Sequence, residues 1–174
     1  MLFVGRRGEG AGVVDPLTTD EVDGLRRASG ADLTLVKADD ASGRSLLAHG
    51  EGEVVLPLST TLVLAVAGVD AWGTPLDETS VLHADRLAER IGATAGVRIE
   101  DDAYFAALAD PQGLRGFTPT GARYAVFLNK VDRPVRVAIA QRLAEGLKER
   151  GVGEVLWGDV RRQDWTSTRR GARS

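Results

Sequence analysis

Four residues, Asn129-Lys130-Val131-Asp132, follow directly on the apolar run Tyr124-Ala125-Val126-Phe127-Leu128. An Asn-Lys-x-Asp tetrad leaving a buried strand can read the base of a guanine nucleotide. Guanine presents paired donors on one edge, and only a side chain with acceptors alone matches them, so Asp132 would take both. The stem of Lys130 would lie along the purine face, and Asn129 would tie the loop to its neighbours. The setting agrees: a β-type run, the tetrad, then a helix opened by Asp132 and Pro134. The same residues also fit a solvated strand-to-helix turn in which Asp132 is an ordinary helix cap. The tetrad alone leaves both readings standing.

A nucleotide needs its phosphates held as well. The stretch Gly5-Arg6-Arg7-Gly8-Glu9-Gly10-Ala11-Gly12 has the Gly-x-x-x-x-Gly spacing of a phosphate loop. However, Ala11 and Gly12 stand where a Lys and a Ser or Thr would reach the β- and γ-phosphates and hold Mg²⁺. Asp15-Pro16 also separates the stretch from the next helix, so a flexible surface loop is expected. The chain thus reads as a guanine reader without a recognisable Walker A cradle, and NTP hydrolysis by this chain alone is not expected.

Asp39 and Asp40 end the run Leu33 to Val36, at the place where an Asp can hold a Mg²⁺ water, which makes Asp39 the metal candidate. Lys37 could pair with either carboxylate and leave no metal there. His49 and His83 form no ligand spacing with each other and are expected to be solvated or helix-capping. No Ser-His-Asp set follows from residue order alone.

These residues must be positioned by secondary structure. Apolar runs alternate with helical patterns, which argues for an α/β fold of three layers around a mostly parallel sheet. Leu2 to Val4 starts it. Thr18 and Glu21 form a capping box, with Leu17 and Val22 as a hydrophobic staple, for a helix to about Ala28. Leu33 to Val36 and Leu62 to Ala67 read as buried strands. Helices are expected near Val81 to Ile91 and Asp102 to Ala109, ended by Gly92 and Pro111. Val135, Ile139, Leu143 and Leu147 repeat every four residues along a long amphipathic helix after the tetrad strand. Glu154 to Trp157 closes the series. A single domain over 1–160 and an Arg-rich, flexible tail over 161–174 are expected.

Composition narrows the function classes. With 174 residues, 43% hydrophobic and 27% charged, the chain has the make-up of a globular protein. A net charge of −3 gives no electrostatic case for nucleic acid. No apolar stretch could span a bilayer, so no membrane association is expected. Cysteine is absent, which excludes disulfides, thiolate metal sites and a Cys nucleophile and suits a reducing cytoplasm.

Several ordered blocks carry a family resemblance. They are Leu35-Val36-Lys37-Ala38-Asp39-Asp40-Ala41, Arg44-Ser45-Leu46, Glu51-Gly52-Glu53-Val54-Val55-Leu56-Pro57 and Ala65-Val66-Ala67-Gly68-Val69-Asp70-Ala71-Trp72-Gly73-Thr74-Pro75-Leu76. Gly113-Leu114 follows, then Gly121-Ala122-Arg123 leading into the tetrad. Together, over roughly Leu33 to Gly158, they resemble the YqeC-type family, accessory proteins of selenium-dependent molybdenum hydroxylases. The resemblance implies a P-loop-NTPase-like fold and a nucleotide-dependent role in maturing or loading a molybdenum hydroxylase. The tetrad makes GTP or GDP with Mg²⁺ the expected ligand, and the resemblance implies the hydroxylase or its maturation proteins as partners.

The chain departs from the family pattern in places. Members usually carry a Gly-Lys-Thr or Gly-Lys-Ser loop ahead of these blocks, and neither tripeptide occurs here. Their Val-Glu-Ala-Asp-Gly becomes Val36-Lys37-Ala38-Asp39-Asp40, a charge reversal that would change any metal or phosphate site at that point. What carries over is Asp39 for metal and Asn129, Lys130, Asp132 and Asp70 for nucleotide. Asp70 lies in a loop that a structural turn also explains, though one leaving a strand end where open α/β sheets bind ligands. The competing expectation is a divergent, non-catalytic scaffold that keeps the fold without nucleotide. Oligomeric state is not readable from these residues.

Overall fold

The protein is described from a computed structural model covering residues 6–7 and 14–168. The expected start Leu2 to Val4, most of the Gly-rich stretch and the last six residues of the tail lie outside the described residues. The elements in chain order are β1 (Arg6–Arg7), β2 (Val14–Asp15), α1 (Thr19–Ser29), β3 (Leu46–Leu47), β4 (Leu62–Gly68) and β5 (Val81–Leu82). Then come α2 (Ala84–Arg90), α3 (Asp101–Leu108), β6 (Arg123–Asn129), α4 (Pro134–Glu149), β7 (Glu154–Asp159) and β8 (Asp164–Ser167).

The fold is mixed α/β. Its main sheet has the order β4-β6-β7-β8, with the first three strands parallel and β8 antiparallel to β7. Two short pairs, β1 with β2 and β3 with β5, complete the strands among the described residues. Register places Ala65 beside Val126 and Ala67 beside Leu128, and Val126 in turn beside Val155. These residues share one buried core with Ala103 and Ala107 of α3 and with Ile139, Ala140, Leu143 and Leu147 of α4. The four-residue repeat read in the sequence is thus the buried stripe of α4, apart from Val135, which is exposed. Each fully buried Leu there contributes on the order of 2 kcal/mol.

The opposite face of β4 differs from the three-layer expectation. Leu62, Leu64 and Val66 remain 42%, 49% and 58% exposed, so among the described residues helices cover one face of β4 and leave the other open. A continuous apolar run reads as buried on both faces, but whether a second layer arrives is decided by other segments.

Leu33 to Val36 is corrected as well. These residues join no ladder, and Leu33 and Leu35 are 73% and 84% exposed. A strand needs a partner's backbone as well as apolar side chains. The outer edge of β4 is met at Gly68, whose N–H donates to the Ser45 carbonyl (2.7 Å), and not by residues 33–36.

Residues 164–167, expected in the tail, form β8 and pair along β7. Gly158 makes this possible: a Cβ there would collide with the Asp164 carbonyl oxygen and Trp165 of the crossing strand. The expected Val81 to Ile91 helix divides into β5 and α2, with His83 between them in the left-handed region at φ 62°. The capping box of α1 is present, Thr18 and Glu21 each bonding the other's backbone N–H.

Candidate functional site

The tetrad lies at the carboxyl end of β6. Asn129 is the last residue of that strand, and Lys130 turns the chain with φ at 63°. Two bonds hold the turn to the end of β7: Val160 N–H donates to Asn129 Oδ1 (3.2 Å), and Val131 N–H donates to the Gly158 carbonyl (3.0 Å). Asn129 therefore ties its loop to the segment after β7.

Asp132 is not the helix cap. Arg133 occupies that position, without a side-chain cap bond, and Pro134 begins α4. The Asp132 carboxylate instead accepts at Oδ1 from Arg136 Nη1 (2.7 Å) and, at longer range, from Arg133 Nε (3.4 Å). Arg136 also donates to the Lys130 carbonyl (3.2 Å), fastening Lys130 and Asp132 of the tetrad to the first turn of α4. Burial works against the charge on Asp132, but Arg136, with Arg133, holds its carboxyl below the usual carboxylate range. It is thus an acceptor-only group at neutral pH, as base reading demands.

The side chain of Lys130 reaches across to the end of β4. Its ammonium donates to Ser45 Oγ (2.7 Å) and Asp70 Oδ2 (3.0 Å), and Ser45 Oγ donates to Asp70 Oδ1 (2.6 Å). Three segments meet in this clasp: the residues before β3, the turn after β4 and the turn after β6. It forms directly over Gly68, where a Cβ would stand 2.5 Å from Asp70 Oδ1 and 2.7 Å from Ser45 Oγ. Tyr104, fully buried in α3, fixes the floor by donating its hydroxyl to the Gly68 carbonyl (2.7 Å). Burial raises the Asp70 pKa, yet the bonds from Ser45 and Lys130 and the nearby charges of Lys130 and Arg136 outweigh it, so the carboxyl sits below its ordinary value.

Asn129, Lys130, Asp132 and Asp70 are thus brought together, and Asp39 is not. Asp39 Oδ1 accepts from the Asp40 N–H (2.6 Å), and Oδ2 lies 2.8 Å from His49 Nε2. Lys37 pairs with Asp40. No group of three His, Asp or Glu able to hold a metal occurs among the described residues. His49 was expected to be solvated or helix-capping, but its side chain is 7% exposed and it stands in neither role. Its contact with Asp39 has ion-pair distance without hydrogen-bond angle, since neither ring nitrogen has a hydrogen-bond partner among the described residues. Burial lowers the His49 pKa more than Asp39 raises it. Sequence reading did not single out Ser45 as a site residue, although it stands in the Arg44-Ser45-Leu46 block of the family resemblance, nor Arg136, whose place four residues after Asp132 on a helix could have flagged it.

Among the described residues, cavities elsewhere include one of about 650 Å³ lined by Arg86, Arg90 and Gln112 and one of about 280 Å³ lined by Trp72, Asp101 and Arg142. Arg86 pairs with Glu53 and Arg142 with Asp101, while Arg90 donates through Nη2 to the His49 carbonyl.

A family model described as "YqeC protein" matches residues 1–85. The match includes Ser45 and Asp70 and ends before the tetrad, whereas the resemblance read in the sequence ran from about Leu33 to Gly158. The chain is 26% identical over 149 residues to "Uncharacterized protein YqeC" of Escherichia coli (strain K12), covering 86% of this chain and 58% of that protein. It therefore spans less than two thirds of that relative's length. No solved structure matches.

Proposed function

Because the chain belongs to the YqeC-type family, we propose that it is an accessory protein that binds a guanine nucleotide and serves the maturation of a selenium-dependent molybdenum hydroxylase. The nucleotide part has its main support in one observation. The acceptor Asp132, the stem of Lys130 and the anchor Asn129 are held together at the carboxyl ends of parallel strands, the usual ligand crevice of open α/β sheets. The hydroxylase part rests on the family resemblance. In this reading Asp132 accepts from the base edge, Lys130 backs the purine face, and Asn129 keeps the turn in place through Val160. GDP or GTP would bring any Mg²⁺ on its own phosphates, because Asp39 stands with His49 rather than with further carboxylates. Asp39 is better read as the acidic partner of that imidazole.

Calorimetric titration with GDP, GTP and ATP in Mg²⁺ tests the reading. Guanine-selective binding is expected, weakened tenfold or more in Asp132→Ala, because hydrogen bonds to a charged acceptor contribute about 1.5–3 kcal/mol each. A folded protein that binds none of the three refutes it.

The open face of β4 favours a second reading, a non-catalytic scaffold that keeps the fold and binds a hydroxylase or another maturation protein. Exposed apolar side chains gathered on one face are common at protein contacts. Gel filtration with purified hydroxylase tests this reading: Leu64→Glu should abolish co-elution, and no co-elution of the wild type rejects it.

A further inference from the structure

The clasp at the tip of Lys130 has a composition that neither base reading nor turn geometry explains. A guanine whose donor edge faces Asp132 and whose ring lies along the Lys130 stem directs its sugar-bearing nitrogen away from Asp132. The sugar then falls at the far end of the stem, beside Ser45 and Asp70.

The chemistry there selects a neutral group. An anion such as phosphate would meet the Asp70 carboxylate, and a cation would meet the Lys130 ammonium. Adjacent hydroxyls suit both, one donating to the carboxylate and one accepting from the ammonium. Capacity remains for this. A carboxylate offers about four acceptor positions and an ammonium about three donors, while the clasp uses one bond on each oxygen of Asp70 and two from Lys130. The side chains of Asp70 and Lys130 are 28% and 42% exposed, so both can be reached from solvent.

We propose that Ser45, Asp70 and the Lys130 ammonium form a subsite for a vicinal diol, the ribose of the nucleotide whose base Asp132 reads. Asp70 accepts from the ribose 2′-hydroxyl, Lys130 donates to a sugar oxygen, and Ser45 positions Asp70 by donating to Oδ1. The inference rests on the guanine reading and adds discrimination of ribose from deoxyribose.

Competition calorimetry with GDP, 2′-deoxy-GDP and ADP separates the two claims. The wild type should bind GDP about tenfold more tightly than 2′-deoxy-GDP, the loss expected for one hydrogen bond to a charged group. Asp70→Asn should bring that ratio close to one while preserving preference for GDP over ADP. Asp132→Ala should do the reverse. Ser45→Ala, which changes no charge, should reduce the ribose ratio if Asp70→Asn fails to fold. Equal wild-type affinity for GDP and 2′-deoxy-GDP overturns the ribose subsite and leaves base reading intact. A ratio unchanged in folded Asp70→Asn also overturns the subsite. Binding of neither guanine nucleotide by the folded wild type overturns both.

Discussion

Tyr104→Phe isolates one bond beneath the site. The ring is fully buried in the core, and only its hydroxyl, 2.7 Å from the Gly68 carbonyl, is removed. The ring stays in place, so the loss of packing is small. What remains is a buried carbonyl at the end of β4 deprived of this donor, which costs about 1–3 kcal/mol. In a domain of this size a destabilisation of about 2 kcal/mol lowers Tm by roughly 4–8 °C. Urea unfolding should show the midpoint falling with the slope unchanged. Burial pushes the Tyr104 phenol well above its ordinary 10.0, so the hydroxyl stays a donor and the difference should hold across neutral pH. Above pH 10 the unfolded state ionises first and binds fewer protons, so wild-type stability falls as pH rises. Burial raises the Tyr124 phenol too, so the variant should keep part of that slope. A destabilisation under about 0.5 kcal/mol would mean that the Gly68 carbonyl is satisfied without Tyr104, and the floor of the clasp would need another account.

Gly158→Ala should destabilise by about 1–3 kcal/mol, because the new Cβ has to displace the backbone of β8. Amide exchange in residues 164–167 should accelerate, and unchanged protection there would contradict the crossing. His49 sets a separate dependence on pH. Its folded pKa lies below the ordinary 6.5, so the unfolded state takes up the proton first and stability should decline as pH falls below about 6.5. Urea midpoints at three pH values between 7.5 and 5.5 should show that slope in the wild type and lose it in His49→Gln; a flat wild-type profile refutes it. Glu53, held at about 2 by Arg86, acts in a lower window, with its contribution present above 4.5 and lost as pH falls toward 2. Its Arg86 pair is about a third exposed, so the loss should be modest.

What could be read in advance was local. Thr18 and Glu21 sit three apart and need only each other, so the capping box of α1 follows from spacing. The stripe of α4 and the runs of β4 and β6 likewise depend on residues within a few positions. Leu33 to Val36 looked the same in composition, yet a strand is a relation between two backbones, and four apolar residues do not name the second. The candidate site divides along the same line. The tetrad is contiguous and therefore visible, and Asp70 could be singled out because its loop leaves a strand end. Ser45 reaches the site across 85 positions of sequence from Lys130, a closure that only the fold creates. Asp39 failed as a strand-end acid because the strand did not form, and His49, the partner it found, had no spacing to announce it.

Stability does not account for a lysine at position 130. Its backbone is left-handed, a conformation that costs a residue with a Cβ roughly 1–2 kcal/mol and that glycine adopts freely. Its ion pair with Asp70 is partly exposed, and pairs of that kind contribute about 0–1 kcal/mol. The turn itself is held by Asn129 and Val131, not by the lysine side chain. Glycine at 130 would therefore serve the fold at least as well. It could not set an aliphatic stem in the turn that carries Asp132, nor deliver a cation to Asp70 and Ser45 at the stem's far end. A flat apolar surface bounded by an acceptor at one end and a mixed donor–acceptor group at the other is what a nucleoside requires, and that is the difference between this residue and the one the backbone alone would favour.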